Sequence, residues 1–385
     1  MIHICPVDSH HFLMRWAKRF PELYQRYFID LDGHERFVST FMSLAQEHGY
    51  NVRVFHRENC APARWKSPCP SNKVAWFLAG LLQGYYIGKA AQQGLHPAVQ
   101  LVLSNSTIGW FPLGDKVKQV HFYHGTYRGQ AEAIRPFITQ RGYLKLKWWD
   151  SMVLERWSGK GKQVLCNSDQ TREEVRKFFR IHGTTIWYPL DTKHFCPIDR
   201  AKCRQELGLA ENRPVGLFVG STQPQKGFTI ISFLIRSFPQ IQWVLALRGA
   251  TATDRDLNEK DFRLFQNASY EQLPLLYNAA DFSLCPSRYE PFGYVVAEAL
   301  ACGIPVIATP GGASRLFLGS PPLNQFLIKD PDDREAFVNA VSEILSDPEG
   351  YRQVVLKTVR PHLEELMAPE NWWRRFCMTV GLNEG

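Results

Sequence analysis

The 385-residue sequence has no pair of cysteines at C-x-x-C spacing, although it carries nine cysteines. Cys5, Cys60, Cys69, Cys166, Cys196, Cys203, Cys285, Cys302 and Cys377 are odd in number, and several sit in apolar runs. That pattern argues for reduced core thiols and against a disulfide framework or a thiolate metal site. No Asp/His cluster shows metal-ligand spacing either, so no metal and no cofactor are expected. Long hydrophobic runs are also missing. The longest, Val74 to Gly88, is about fifteen residues and is interrupted by Gln83, too short to span a bilayer; a buried helix is expected there. Met1-Ile2-His3-Ile4-Cys5 lacks the basic start of a secretory leader and reads as a strand, which makes the cytoplasm the expected location. Internal repeats, low-complexity tracts and nucleic-acid-binding motifs are absent, so nucleic acid is not an expected partner despite a net charge of +8.

What is present suits a globular protein of two domains. A chain of this length exceeds one ordinary core and divides into roughly 190 residues per domain. Its charge is lopsided: residues 1–200 hold 27 Lys and Arg against 16 Asp and Glu, while the remainder holds 18 against 21. A basic N-terminal half favours an anionic partner, such as a phosphate-linked lipid acceptor or an acidic membrane surface. Basic residues are densest from Arg135 to Lys162, where Arg141, Lys145, Lys147, Arg156, Lys160 and Lys162 interleave with Tyr143, Leu144, Trp148, Trp149 and Trp157. Two readings stay open for this stretch: peripheral contact with the inner face of a membrane, or a solvated helix that packs its tryptophans into the core.

Periodicity gives two doubly wound α/β units. Strand candidates in the first half are Met1–Pro6, Asn51–His56, Val99–Asn105, Lys118–His124, Lys162–Asn167 and Thr184–Tyr188. Helical stretches separate most of them, as the crossovers of a parallel sheet require. From Glu35 to His48, Phe37, Phe41, Leu44 and Ala45 recur at helical spacing and Gly49 ends the run. In the second half, Pro214–Gly220, Gln242–Leu247, Phe282–Pro286 and Pro305–Ala308 are near-continuous apolar runs of the doubly covered type. Periodicity breaks between Asp191 and Asp199, where the domains should join. A helix is expected from Glu370 to Val380.

The chemistry concentrates in residues 286–312. Glu290 stands eight residues before Glu298, with Pro291-Phe292-Gly293-Tyr294 between them and a Gly-Gly turn beyond. Were the whole interval helical, the carboxylates would be separated by roughly 12 Å, about the reach of a bound nucleotide sugar. A carboxylate can accept from two adjacent hydroxyls, and a helix start favours phosphate or sugar oxygens. A lone pair of glutamates at this spacing is ordinarily two solvated side chains on a surface helix. A second candidate is the loop Gly220-Ser221-Thr222-Gln223-Pro224-Gln225-Lys226-Gly227 between a strand and a helix, where Lys226 would meet a diphosphate as a point charge.

Taken together, the segment ADFSLCPSRYEPFGYVVAEALACGIPVIATPGG resembles the donor-site signature of retaining glycosyltransferases of family 4, which have the GT-B fold. IDLDGHERFVSTFMSLAQEHGYNVRVF, VHFYHGTYRG, VLCNSDQTREEV, YPLDTKHFCP and LFVGSTQPQKGF are similar to further blocks of that family in the same order. The resemblance implies an acceptor-side Rossmann-like domain over 1–195, a donor domain over 196–368, and a tail over 369–385 crossing back to the first. The two domains would face each other across a cleft. It implies transfer of a sugar from a nucleotide diphosphate sugar to a hydroxyl with retention and without a metal, in cell-surface polysaccharide, lipopolysaccharide or glycolipid synthesis. Glu290 and His124 would be catalytic, His124 matching a family histidine at the reaction centre. Lys226, Ser221, Gly220, Phe292, Gly293, Tyr294, Glu298, Gly33 and Arg248 would bind the donor. The sequence departs from the family at Ser221, where an arginine is usual, so that Arg248 is the proposed substitute, and at Asp32, where a glycine is usual. These departures keep a non-catalytic nucleotide-sugar-binding subunit open, alongside another enzyme of the same fold such as a phosphorylase or epimerase.

Overall fold

The computed structural model describes residues 2–6, 33–55, 60, 73–105, 107, 109–248 and 260–383. They form two compact units, one of residues 1–188 with 372–385, the other of residues 189–371.

The first unit holds a six-stranded sheet in the order β2-β1-β3-β4-β5-β6. Its strands are β1 (Ile2–Pro6), β2 (Tyr50–Val54), β3 (Leu101–Asn105), β4 (Lys118–Tyr123), β5 (Gln163–Cys166) and β6 (Thr184–Thr185). From β3 to β6 neighbouring strands are parallel, but β1 runs antiparallel to both β2 and β3. That corrects the expectation of a wholly parallel sheet. An apolar run specifies a strand, yet its backbone groups can be paired in either direction, so the pattern does not encode direction. The last strand is also shorter than expected, ending at Thr185 rather than Tyr188.

Helix α1 (Gly33–Glu47) buries the predicted stripe of Phe37, Phe41, Leu44 and Ala45. On that stripe pack Trp372, Trp373 and Phe376 from the C-terminal helix Pro369–Val380. The ring of Phe37 meets Phe122 of β4 edge-on at 4.9 Å, a favoured geometry for aromatic pairs. Helix α2 (Lys73–Gln93) contains the Val74 to Gly88 run and buries Ile87 and Ala91 against Phe55 and Val102. No helix among the described residues is long and apolar enough to cross a membrane. Between β4 and β5 lie α3 (Tyr127–Ile134) and a helical stretch over 140–159 whose middle, Lys145–Glu155, is a π-helix. Helix α4 (Asp169–Phe179) follows β5 and is capped by Ser168, whose hydroxyl accepts from the Thr171 N–H.

The second unit holds a five-stranded, fully parallel sheet in the order β11-β10-β7-β8-β9. The strands are β7 (Val215–Gly220), β8 (Gln242–Leu247), β9 (Phe262–Gln266), β10 (Phe282–Cys285) and β11 (Val306–Ala308). Strands β7, β8, β10 and β11 are buried as their apolar runs predict. The sequence pattern does not announce β9, because it is a partly exposed edge strand carrying Arg263 and Gln266. Chain order steps from β7 outward to β8 and β9, then returns to place β10 on the other side of β7. The switch point of the sheet therefore lies between β7 and β10, and in open parallel sheets ligands bind beyond the carboxyl ends of the strands at this place.

Candidate functional site

Both candidate segments picked out from the second half of the sequence emerge at that switch point. After β7 the chain passes Ser221 and reaches Lys226 and Gly227, the N-cap of α5 (Phe228–Ser237). After β10 it runs through Ser287 and Glu290 to Gly293, the N-cap of α6 (Tyr294–Ala301). Lys226 and Glu290, 64 residues apart in sequence, meet as an ion pair with Nζ to Oε2 at 2.7 Å. The Ser287 hydroxyl lies 3.4 Å from the same carboxylate oxygen. Beneath them, burial first and the Glu290 charge second push the Cys285 thiol up to about 11, so it is protonated at neutral pH.

Backbone contacts fix the spacing of these loops. The Arg288 N–H donates to Gln225 O at 2.8 Å, tying the first loop to the second. Gly312 N–H donates to Glu290 O and Ala313 N–H to Phe292 O, tying the second loop to helix α7 (Gly312–Leu318) after β11. Two glycines are dictated by this closeness. Gly227 has φ +70°, and a Cβ there would fall 2.1 Å from Pro286 O. At Gly312 a Cβ would fall 2.3 Å from Pro291 O, which is why the turn after β11 is glycine-rich. Thr309 anchors the same corner, its N–H donating to Cys285 O and its hydroxyl to Ser287 O, while Ser314 donates to Thr309 O. Sequence reasoning passed over Thr309 and Ser314, since a lone hydroxyl in a loop carries no pattern.

The interval from Glu290 to Glu298 is not one helix. Residues 290–293 form a turn closed by Gly293 at φ +90°, and α6 begins only at Tyr294. Glu298 sits within α6, fully buried, and accepts a hydrogen bond from the Tyr277 hydroxyl at 2.8 Å. Tyr277 belongs to the helix Leu273–Ala279 and was not singled out from the sequence. Phe292 is buried with its ring 4.7 Å from that of Tyr294, whose hydroxyl donates to Pro189 O. Gly220 ends β7 and accepts from the Arg248 N–H at 2.8 Å; the Arg248 side chain is exposed. Ser221 is half-buried. Arg288, another guanidinium in these loops, forms a two-nitrogen ion pair with Asp332 and holds that carboxyl below its usual range.

In the first unit, His124 follows β4 at the carboxyl end of the parallel strands. Its Nδ1 pairs with the Tyr188 hydroxyl, and its ring lies among Phe37, Phe122 and Tyr188. Gly33 is the first residue of α1, and Asp32 lies outside the described residues. His121, on β4 three residues before His124, is a core residue. Its Nδ1 is 2.9 Å from Ser104 Oγ, and burial, then the charge of Lys162, hold its pKa well below the usual value. Lys162 itself is lowered to about 8 by burial, with its ammonium donating to Gly109 O. Among the described residues no three His, Cys, Asp or Glu side chains group as a metal site.

Residues 199–358 match the family described as glycosyl transferases group 1. Among curated proteins, alpha-maltose-1-phosphate synthase of Mycolicibacterium smegmatis is 28% identical over 255 residues, covering 58% of this chain and 63% of the relative. The lipopolysaccharide core biosynthesis mannosyltransferase LpsB of Rhizobium meliloti is 28% identical over 234 residues, covering 55% and 66%. The chain thus spans less than two thirds of the length of these relatives. Among solved structures, sucrose-phosphate synthase of Thermosynechococcus elongatus superposes with a TM-score of 0.65 at 23% identity, covering 87% of this chain and 82% of that one. Anabaena HepE in complex with UDP gives 0.59 at 18% identity, covering 79% and 83%. The architecture is accordingly the GT-B fold of two Rossmann-like α/β units.

Proposed function

We propose that this chain, whose residues 199–358 belong to glycosyl transferases group 1, is a retaining glycosyltransferase that uses a nucleotide diphosphate sugar and a hydroxyl acceptor. The observation that carries this reading is the Lys226–Glu290 pair at the switch point of the second sheet. A cation and a carboxylate held side by side suit the two ends of the reacting bond. Lys226, with the N-terminus of α5 behind it, would receive the diphosphate and neutralise its charge as it leaves. Glu290 would accept from sugar hydroxyls and face the positive charge developing on the anomeric carbon. That HepE was solved with UDP supports a nucleotide donor.

The remaining roles follow the same logic. Glu298, oriented by the Tyr277 hydroxyl, is assigned to the ribose, and His124, oriented by Tyr188, to the donor sugar. Gly220, Ser221, Gly293 and Gly33 would bring backbone close to the donor, and Arg248 would supply the cation missing at 221. Retention is proposed to run on one face of the sugar, with the leaving phosphate taking the acceptor proton, because the sequence offers no carboxylate pair with a clear nucleophile role. Lysine and helix N-terminus do the neutralising, so no divalent cation is required. The acceptor is proposed to be lipid-linked or anionic, in lipopolysaccharide, polysaccharide or glycolipid synthesis, with the enzyme in the cytoplasm.

The test is a thermal-shift panel of nucleoside diphosphates and their sugars, followed by nucleotide release with and without acceptor in the presence of chelator. Selective stabilisation by one nucleotide is expected, since a ligand of the folded state stabilises by mass action. Acceptor-dependent release should persist in chelator. Release that needs no acceptor, or donor binding without turnover across a broad acceptor screen, would overturn the reading.

A further inference from the structure

The helical stretch over 140–159 exposes apolar side chains that the core does not use. Trp148 and Trp157 are each 54% exposed, and Leu144 is likewise exposed. In an α-helix, positions 148 and 157 would point about 180° apart. The π-helix over Lys145–Glu155 changes that: with roughly 4.4 residues per turn, it brings the two tryptophans within about 50° of one another, with Leu144 between them at about 30° from Trp148. The unusual helix thus gathers three large apolar groups into one outward stripe. Its opposite side is held firmly. Tyr127 N–H donates to the buried Glu155 carboxylate at 3.0 Å, and the Tyr123 hydroxyl donates to Glu155 O at 2.8 Å.

The charges around the stripe have one sign. Between 135 and 162 the acids are Asp150 and Glu155, both buried, against seven Lys and Arg. Lys145 is paired with Asp150 and Lys147 with Glu132. Arg141, Arg156 and Lys160 are exposed, and among the described residues no carboxylate pairs with them. Tryptophan flanked by Arg and Lys is the composition that rests at a bilayer interface, the rings at headgroup depth and the cations against anionic headgroups.

We propose that the face bearing Leu144, Trp148 and Trp157, ringed by Arg141, Arg156 and Lys160, docks onto an anionic lipid bilayer. The charge complementarity selects a lipid surface of negative sign over a neutral one. The inference stands on this surface alone and does not depend on the transferase reading.

Co-sedimentation with vesicles tests it, comparing phosphatidylcholine alone with phosphatidylcholine mixed with phosphatidylglycerol. The protein should pellet with the mixed vesicles, weakly with the neutral ones, and less as salt rises. Replacing both tryptophans (Trp148→Ser with Trp157→Ser) should weaken partitioning at least tenfold. The triple exchange Arg141→Gln, Arg156→Gln, Lys160→Gln should weaken it roughly fivefold per charge and erase the preference for anionic vesicles. All five positions are exposed, so unchanged melting temperatures are expected, and the charge variant decides the matter if the tryptophan variant melts early. Three results would overturn the proposal: no binding of the unaltered protein to anionic vesicles, variants that bind as well as it does, or a dimer that the tryptophan exchanges convert to monomer. Nucleotide-dependent thermal shifts, a property of the second unit, separate failure here from failure of the transferase reading.

Discussion

Replacing Glu290 by glutamine should make the protein hold a nucleoside diphosphate more tightly while stopping transfer. Lys226 is engaged by Glu290 at 2.7 Å, so a diphosphate must compete for the ammonium. The two side chains are 32% and 17% exposed, neither solvated nor dry. Unit charges about 4 Å apart attract by about 4 kcal/mol at an effective dielectric of about 20. Solvent screening and the cost of holding both side chains reduce the net value to about 1–2 kcal/mol. Glu290→Gln removes that competition, and with it the repulsion between carboxylate and diphosphate. Nucleoside diphosphate affinity should therefore rise about 5- to 30-fold, while transfer falls by about 10²–10³, the usual cost of losing one preorganised electrostatic partner of the transition state. Lys226→Met should instead weaken nucleotide binding tenfold or more. Titration calorimetry with a panel of nucleoside diphosphates reads the first quantity and acceptor-dependent nucleotide release the second. Opposed signs are the point, because a merely damaged site loses both. Unchanged or weaker nucleotide affinity in Glu290→Gln, or surviving transfer, would refute the reasoning.

Two further predictions concern the scaffold. Gly227→Ala puts a methyl 2.1 Å from Pro286 O at φ +70°, forcing the two loops apart by about 1 Å; stability should fall about 2–3 kcal/mol and transfer about 100-fold, and a urea titration together with a rate assay checks both. His121 is held neutral by burial and by Lys162, with its folded pKa below the unfolded value near 6.5. Below that pH the unfolded chain takes up a proton that the folded chain refuses, so stability should drop by about 1.4 kcal/mol per pH unit as pH falls. In His121→Gln that part of the slope should vanish, and equal acid sensitivity of the two proteins by urea midpoint at pH 7 and pH 5.5 would show His121 not to be its source.

How much of this could be read from the sequence follows from what local pattern encodes. The continuous apolar runs of β7, β8 and β10 identify buried parallel strands because such strands are covered on both faces. Strand β9 escapes since an edge strand with Arg263 and Gln266 needs no such run, and the reversed direction of β1 escapes because pairing direction is settled by distant partners. At the site, Lys226 and Glu290 were each legible from their loops. Their direct pairing was not, as it depends on β7 and β10 lying side by side. Tyr277 under Glu298 and Tyr188 beside His124 are invisible because each is a single residue supplied by a separate segment, one 21 and the other 64 residues away in sequence.

The construction of the second unit also explains how the chain can carry Ser221 where the pattern of the family it resembles has an arginine. The distance between cation and carboxylate is set by main chain, through Arg288 N–H to Gln225 O, Gly312 N–H to Glu290 O and Ala313 N–H to Phe292 O. No side chain takes part in those three bonds, and the glycines at 227 and 312 are needed because the strands of backbone come so near, with φ +70° a further reason at Gly227. A side chain at the rim can therefore change without moving Lys226 relative to Glu290. Under the proposed function, an arginine at 221 would add a two-toothed phosphate clamp, so Ser221→Arg should lower KM for the donor and leave kcat in place, and an unchanged KM in a rate assay would show that position 221 does not meet the diphosphate.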